Sequence, residues 1–241
     1  MAKILILAPS GFGKTTSWAG REKFGIKGLN PKETYVIQCI SRGVPNPEYK
    51  LCPSCDIKDI AAGNRVQVNS ITGLERFKRV ATFLEILKNS PYKSIILDDF
   101  NYLMQDYYMS NAMKGGWQTP KEIGFGIGLI FDAIDKYPDE KNIIVCAHYE
   151  KINDKDNEVT YQMKTTGNMV NEYCTPQGKF DIILFGKQTF DEQAKKAIKV
   201  YTKEFDGKFP AKDSIGILDN LPDEFPNDLS LVVEELKKRY K

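Results

Sequence analysis

Five short runs of consecutive apolar residues recur along the chain: Lys3-Ile-Leu-Ile-Leu7, Thr34-Tyr-Val-Ile-Gln-Cys-Ile40, Ser94-Ile-Ile-Leu97, Asn142-Ile-Ile-Val-Cys146 and Phe180-Asp-Ile-Ile-Leu-Phe185. A strand that is apolar at successive positions needs cover on both faces, as in a buried parallel sheet. Between these runs the period changes. Gly73 to Lys88 and Lys121 to Tyr137 read as helices, the second placing Ile123, Ile127, Ile130 and Ile134 on one face. Strands alternating with helices predict an α/β fold with a mainly parallel sheet flanked by helices.

Other segments break the alternation. Ser41 to Asn64, rich in Pro, Gly and Cys, reads as a long loop, and Ser110 to Thr119, with Gly115-Gly116, as a second one. Short polar alternation over Glu150 to Lys164 and Lys187 to Lys208 predicts hairpins added to the sheet edge. Pro226 to Lys241 carries Leu229, Val232, Val233 and Leu236 at helical spacing and predicts a terminal amphipathic helix. At 241 residues the chain fits a single domain, 1–241.

Composition changes this picture little. The 41% hydrophobic and 27% charged residues are ordinary globular values, and a formal charge of +2 leaves nucleic acid to depend on local clustering of Lys and Arg. No apolar run is long enough to span a bilayer, and Met1-Ala2-Lys3-Ile4 enters the first motif too soon for a cleavable signal, so a soluble, cytoplasmic protein is expected. The five cysteines are expected to be reduced. Cys52-Pro-Ser-Cys55 alone has metal-ligand spacing; zinc needs two further ligands, and an ordinary loop explains the same letters.

The segment that carries chemistry follows the first strand. Ala8-Pro-Ser-Gly-Phe-Gly-Lys-Thr15 matches the Walker A pattern G-x-x-x-x-G-K-[ST] except that Ala8 stands at the first glycine. Strand, small-residue loop and helix start occur in the order that lets backbone N–H groups converge on phosphates. Ser10, Gly11, Phe12, Gly13, Lys14, Thr15 and Thr16 are therefore the expected ATP-binding residues. Lys14, expected to face solvent, would reach the β and γ oxygens, and Thr15 would ligate magnesium.

Ser94-Ile-Ile-Leu-Asp-Asp99 has the form of a Walker B strand. Asp98 is the expected magnesium partner, and Asp99 either polarises the attacking water or caps the helix that follows. His148, the single histidine, lies just past the fourth run, where strand ends face the ligand crevice of a parallel sheet. It is read as a γ-phosphate sensor or as a satisfied edge residue. Asn101 is a further polar candidate. The expected catalytic set is thus Lys14, Asp98, Asp99 and His148.

With these residues assembled, the chain resembles a family of bacteriophage RecA-like ATPases that includes Sak-type single-strand annealing proteins. The resemblance is carried by Ala8 to Thr16, Ile96-Leu-Asp-Asp-Phe-Asn-Tyr-Leu-Met104, Cys146-Ala-His-Tyr-Glu150, Lys164-Thr-Thr-Gly-Asn-Met-Val-Asn-Glu172 and Pro226-Asn-Asp-Leu229. It implies a RecA-type P-loop core, ATP hydrolysis, single-stranded DNA as partner in phage recombination or replication, a homo-oligomeric ring or filament, and the host cytoplasm. RecA-type recombinases place a catalytic Glu where this chain has Gln38, Cys39 and Ile40, which shifts the base role toward Asp99. Basic fingers from a neighbouring subunit are implied too, with Lys199, Lys203, Lys212 and Arg42 as the donors on offer. The Lys164 block reads equally as a phosphate contact and as a turn.

Two other classes stay open. A P-loop small-molecule kinase would need a lid of arginines, and no clustered pair stands in a plausible lid segment. A nucleotide-dependent interaction or packaging component with little turnover fits the missing Glu. For the DNA reading, Trp117, Tyr107, Tyr108 and Lys114 offer a stacking platform, against the alternative that the tyrosines pack on the core and Trp117 anchors its loop.

Overall fold

Alternating apolar residues of each predicted strand enter opposite cores. In β1 (Lys3–Leu7), Leu5 and Leu7 join one cluster while Ile4 and Ile6 join the other, and β4 (Ser94–Asp98) and β5 (Asn142–Ala147) divide in the same way. Burial on both faces is what the continuous apolar runs require. The computed structural model describes residues 2–114, 116–153, 159–166, 169–192, 195–204 and 207–239.

The remaining strands are β2 (Thr34–Gln38), β3 (Arg65–Gln67), β6 (Tyr149–Asn153), β7 (Val159–Met163), β8 (Ile182–Asp191), β9 (Lys196–Thr202), β10 (Lys212–Asp213) and β11 (Glu224–Pro226). One nine-stranded sheet runs β11-β9-β8-β1-β5-β4-β2-β3, with β10 also on β8. From β8 to β3 the pairings are parallel; β9, β10 and β11 add antiparallel. The fold is α/β with a mostly parallel sheet flanked by helices. Residues Lys187 to Lys208 do extend the sheet edge, through β8 and β9. The other predicted hairpin does not: β6 and β7 pair only with each other among the described residues, as a separate two-stranded sheet.

Helices α2 (Leu74–Leu87), α3 (Asn101–Ser110) and α4 (Gln118–Asp135) contribute to the first core, and α1 (Lys14–Ala19) and α5 (Leu229–Arg239) to the second. The α4 stripe of Ile123, Ile127, Ile130 and Ile134 is buried throughout. Each fully buried side chain of this size contributes about 2 kcal/mol by area. Helices α2 and α4 approach closely because α4 offers Gly126 to Phe77; an added Cβ there would stand 2.5 Å from the Phe77 ring. The second core seats Leu229, Val232 and Leu236 of α5 with Trp18 and Ala19 of α1. The last helix thus lies behind the loop that precedes α1. Among the described residues no helix is long and apolar enough to cross a membrane.

Candidate nucleotide site

A parallel sheet brings the C-terminal ends of its strands to one edge. Here β1 ends in the glycine loop, β2 in Gln38, β4 in Asp98 and β5 in Ala147 beside His148. The loop turns on two residues with positive φ, Gly11 at 76° and Gly13 at 101°. Nothing among the described residues lies near a Cβ added at Gly11, so glycine there serves the backbone angle and not packing.

Lys14 is not turned to solvent as the sequence suggested. It is buried, and its ammonium donates to the carbonyls of Ala8 at 3.0 Å and Pro9 at 3.2 Å and approaches His148 Nδ1 at 3.3 Å. Burial lowers its pKa, opposed by the nearby acidic groups. Thr15 Oγ1 donates to Asp98 Oδ2 at 3.1 Å, tying the first turn of α1 to the end of β4. Asp98 is fully buried, and its Oδ1 has no hydrogen-bond partner among the described residues. Its carboxyl is pushed up to about 6, chiefly by burial and then by the charge of Asp99.

Asp99 sits at φ +60°, a left-handed conformation uncommon outside glycine, and is buried. Its oxygens face Arg42 Nη1 at 3.2 Å and His148 Nε2 at 3.9 Å. It does not cap the next helix: α3 has Phe100 at its N-cap and no described side chain capping it. His148 is held down to about 4, by burial first and by the Lys14 charge second, so its ring is neutral at pH 7. A neutral ring accepting from Lys14 at Nδ1 carries its proton on Nε2, toward Asp99. Asn101 joins this group from the start of α3, accepting from the His148 backbone N–H and donating to the Lys164 carbonyl. Lys164 N donates in turn to the His148 carbonyl at 2.8 Å. The Lys164 block therefore begins beside His148, while its Gly167 and Asn168 lie outside the described residues.

A cavity of about 500 Å3 opens over the loop, lined by Ser10, Gly11, Gly13, Lys14, Thr15 and Thr16, with Arg21, Arg42 and His148 at its walls. Phe12 does not belong to that lining. Its ring is fully buried beneath the loop, 5.3 Å from Tyr201, so only its backbone is left to meet a ligand. Asn227 and Asp228 of the terminal Pro-Asn-Asp-Leu block brace the same region. The Asn227 amide donates to the carbonyls of Phe12 and Gly13, both at 3.3 Å, and the Asp228 carboxylate accepts from the N–H groups of Lys27, Gly28 and Ser230.

Sequence reasoning missed Arg21. Its only signal was a cation shortly after the end of α1. Two finger candidates change character: Lys199 donates to the carbonyl of its own chain's Gly11, and Lys203 is buried with its ammonium on the Leu218 carbonyl at 2.7 Å. Gln38, where the resemblance would imply a Glu, is buried beside Asp98 in register and accepts from Arg65 and Gln67. Cys52 packs in the core against the Tyr35 hydroxyl at 3.3 Å, whereas Cys55 faces Ser70. Among the described residues no group of three or more His, Cys, Asp and Glu could by itself hold a metal ion.

The aromatic platform divides. Tyr107 is in the core with its hydroxyl on Glu122, while Tyr108 and Trp117 are exposed, Trp117 at 72%. Gly115, beside Lys114 in the same loop, lies outside the described residues. No family model matches the chain, and comparison with curated proteins finds no relative.

Proposed function

We propose that the chain binds ATP with magnesium in the cavity above Gly11 to Thr16 and hydrolyses it, as a RecA-like P-loop ATPase acting on single-stranded DNA. The observation that carries the nucleotide reading is that Lys14, Thr15 and His148 line one cavity over the glycine loop while Asp98 stands buried behind Thr15. Magnesium fits the donor set. Thr15 and Asp98 offer hard oxygens, and the Oδ1 of Asp98 is buried without a partner among the described residues. Such a site needs few protein ligands because the phosphates and water supply the rest. Bound there, the ion would neutralise charge on the β and γ phosphates.

The chain's own groups divide the remaining work. Lys14 exchanges the carbonyls of Ala8 and Pro9 for phosphate oxygens, which are stronger acceptors for an ammonium. Asp99, held by Arg42 and close to His148, is the carboxylate placed to take a proton from water. His148, neutral and bound to Lys14, registers any movement of that lysine, and its backbone passes the change to Asn101 and Lys164. The DNA reading draws on the resemblance and on exposed Tyr108 and Trp117 beside Lys114. Assembly into a ring or filament is proposed on the resemblance alone; Arg42, paired with Asp99 of its own chain, serves its own cavity, which leaves Lys212 as the finger to consider.

One observation favours a second reading, a small-molecule kinase. Arg21 and Arg42 flank the same cavity although they are far apart in sequence. ATP turnover with and without single-stranded DNA separates the two. Stimulation by DNA supports the proposal; turnover indifferent to DNA but raised by a phosphate acceptor supports the kinase.

A further inference from the structure

The phosphate cavity does not end at Thr16. A second hollow of about 480 Å3 adjoins it, and Arg21 and Pro45 line both. Its floor is the turn from Gly20 to Gly28, which is fixed by backbone packing and not by a hydrophobic anchor. A Cβ added at Gly20 would lie 2.3 Å from the Lys27 carbonyl oxygen, and one at Gly28 would lie 2.2 Å from the Gly20 nitrogen. Arg21 and Ile26 exchange two backbone hydrogen bonds across the turn, and Asp228 accepts from Lys27 N at 2.7 Å and Gly28 N at 3.1 Å.

On this turn the Arg21 guanidinium carbon stands over the Phe24 ring, 4.4 Å from its centroid. Phe24 is 58% exposed and does not itself line the hollow; it serves only as backing for the guanidinium. An arginine over a ring presents a planar cation, which suits a second π-system better than a point charge does.

We propose that the second hollow receives the nucleoside of the bound triphosphate, its base lying against the Arg21 guanidinium, which Phe24 backs, opposite Pro45. This deepens the ATP reading and rests on it. The phosphates occupy the loop cavity, and the shared wall of Arg21 and Pro45 carries the ligand from one hollow into the other.

The test compares ATP with inorganic tripolyphosphate, which lacks the nucleoside, both with magnesium and both by titration calorimetry. Wild-type protein, Arg21→Ala and Arg21→Lys are measured after thermal denaturation has shown that the variants keep the wild-type melting temperature. The expected result is a loss of ATP affinity roughly tenfold greater than the loss of tripolyphosphate affinity in both variants, with tripolyphosphate affinity kept in Arg21→Lys. Arg21→Lys keeps the charge and removes the plane, so it separates stacking from phosphate binding. Equal losses for the two ligands in Arg21→Ala, restored by lysine, would make Arg21 a phosphate contact and overturn the subsite. Unchanged ATP affinity in both variants would place the nucleoside elsewhere. If wild-type protein binds neither ligand, the ATP reading itself fails and the subsite falls with it.

Discussion

The methyl group of Ala8 packs into the space left by Gly186: a Cβ added at Gly186 would lie 2.6 Å from the Ala8 Cβ. Gly186 thus makes room for the methyl that stands where the Walker A pattern has its first glycine. The chain carries its small residue across the sheet, on β8, where β1 and β8 pair. The Phe12 ring fills the same corner, 2.8 Å from the added atom. Gly186→Ala should therefore destabilise the protein by about 1–3 kcal/mol. Adding Ala8→Gly should recover part of that loss, since one of the two clashes goes. Urea denaturation of the two single variants and the double variant measures the coupling; strict additivity would mean that the residues do not compete for space.

Asp98 sets a pH dependence whose sign can be worked out. Its folded pKa of about 6 exceeds the ordinary 3.8, so the folded state holds the proton more tightly. The corresponding stability is complete below about pH 3.8 and is lost as pH rises through about 6. Asp98→Asn removes the charge. Nucleotide-free Asp98→Asn should exceed wild type by on the order of 2 kcal/mol at pH 8, the advantage shrinking toward pH 4. Denaturation without magnesium across that range checks it, and parallel curves for the two proteins would refute the assignment.

Asp99 should separate turnover from binding. Asparagine tolerates the left-handed angle that this position requires, so Asp99→Asn keeps the backbone and removes the proposed base. Hydrolysis should fall by a factor of about 100 or more while ATP affinity stays within about threefold. Normal turnover in the variant would move the base elsewhere.

Asp228 joins α5 to the turn behind α1 through three backbone donors. Asp228→Ala leaves those N–H groups without their carboxylate and should cost about 2–3 kcal/mol. Because the turn carries the Arg21 wall, ATP affinity should fall as well. A stability loss under 0.5 kcal/mol would contradict the bracing role.

Much of the frame was legible because two-sided burial writes itself as continuous apolar runs. All five predicted strands are present, and the α4 isoleucine stripe lies in the core where its period placed it. Strand β3 was hidden, since Arg65 and Gln67 flank a single buried Val66 and leave no run to read. The β6–β7 pair was recognised as a hairpin but given the wrong neighbour, because alternation specifies pairing and not which sheet receives it. At the site, the motif residues that line the cavity follow their chain order, yet the burial of Phe12 and the inward fold of Lys14 depend on Tyr201 and His148, far away in sequence. Arg21 and Arg42 share a cavity for the same reason, and no local pattern reports that.

The central claim is that Gly11 to Thr16 bind ATP through Lys14. Burial disfavours the Lys14 charge, so Lys14→Met should keep or raise the melting temperature of the nucleotide-free protein. The most direct measurement is titration calorimetry of ATP with magnesium into wild type and Lys14→Met. Micromolar binding by wild type and a loss of about 100-fold or more in the variant are the predicted result. Equal affinity in two folded proteins would contradict the account.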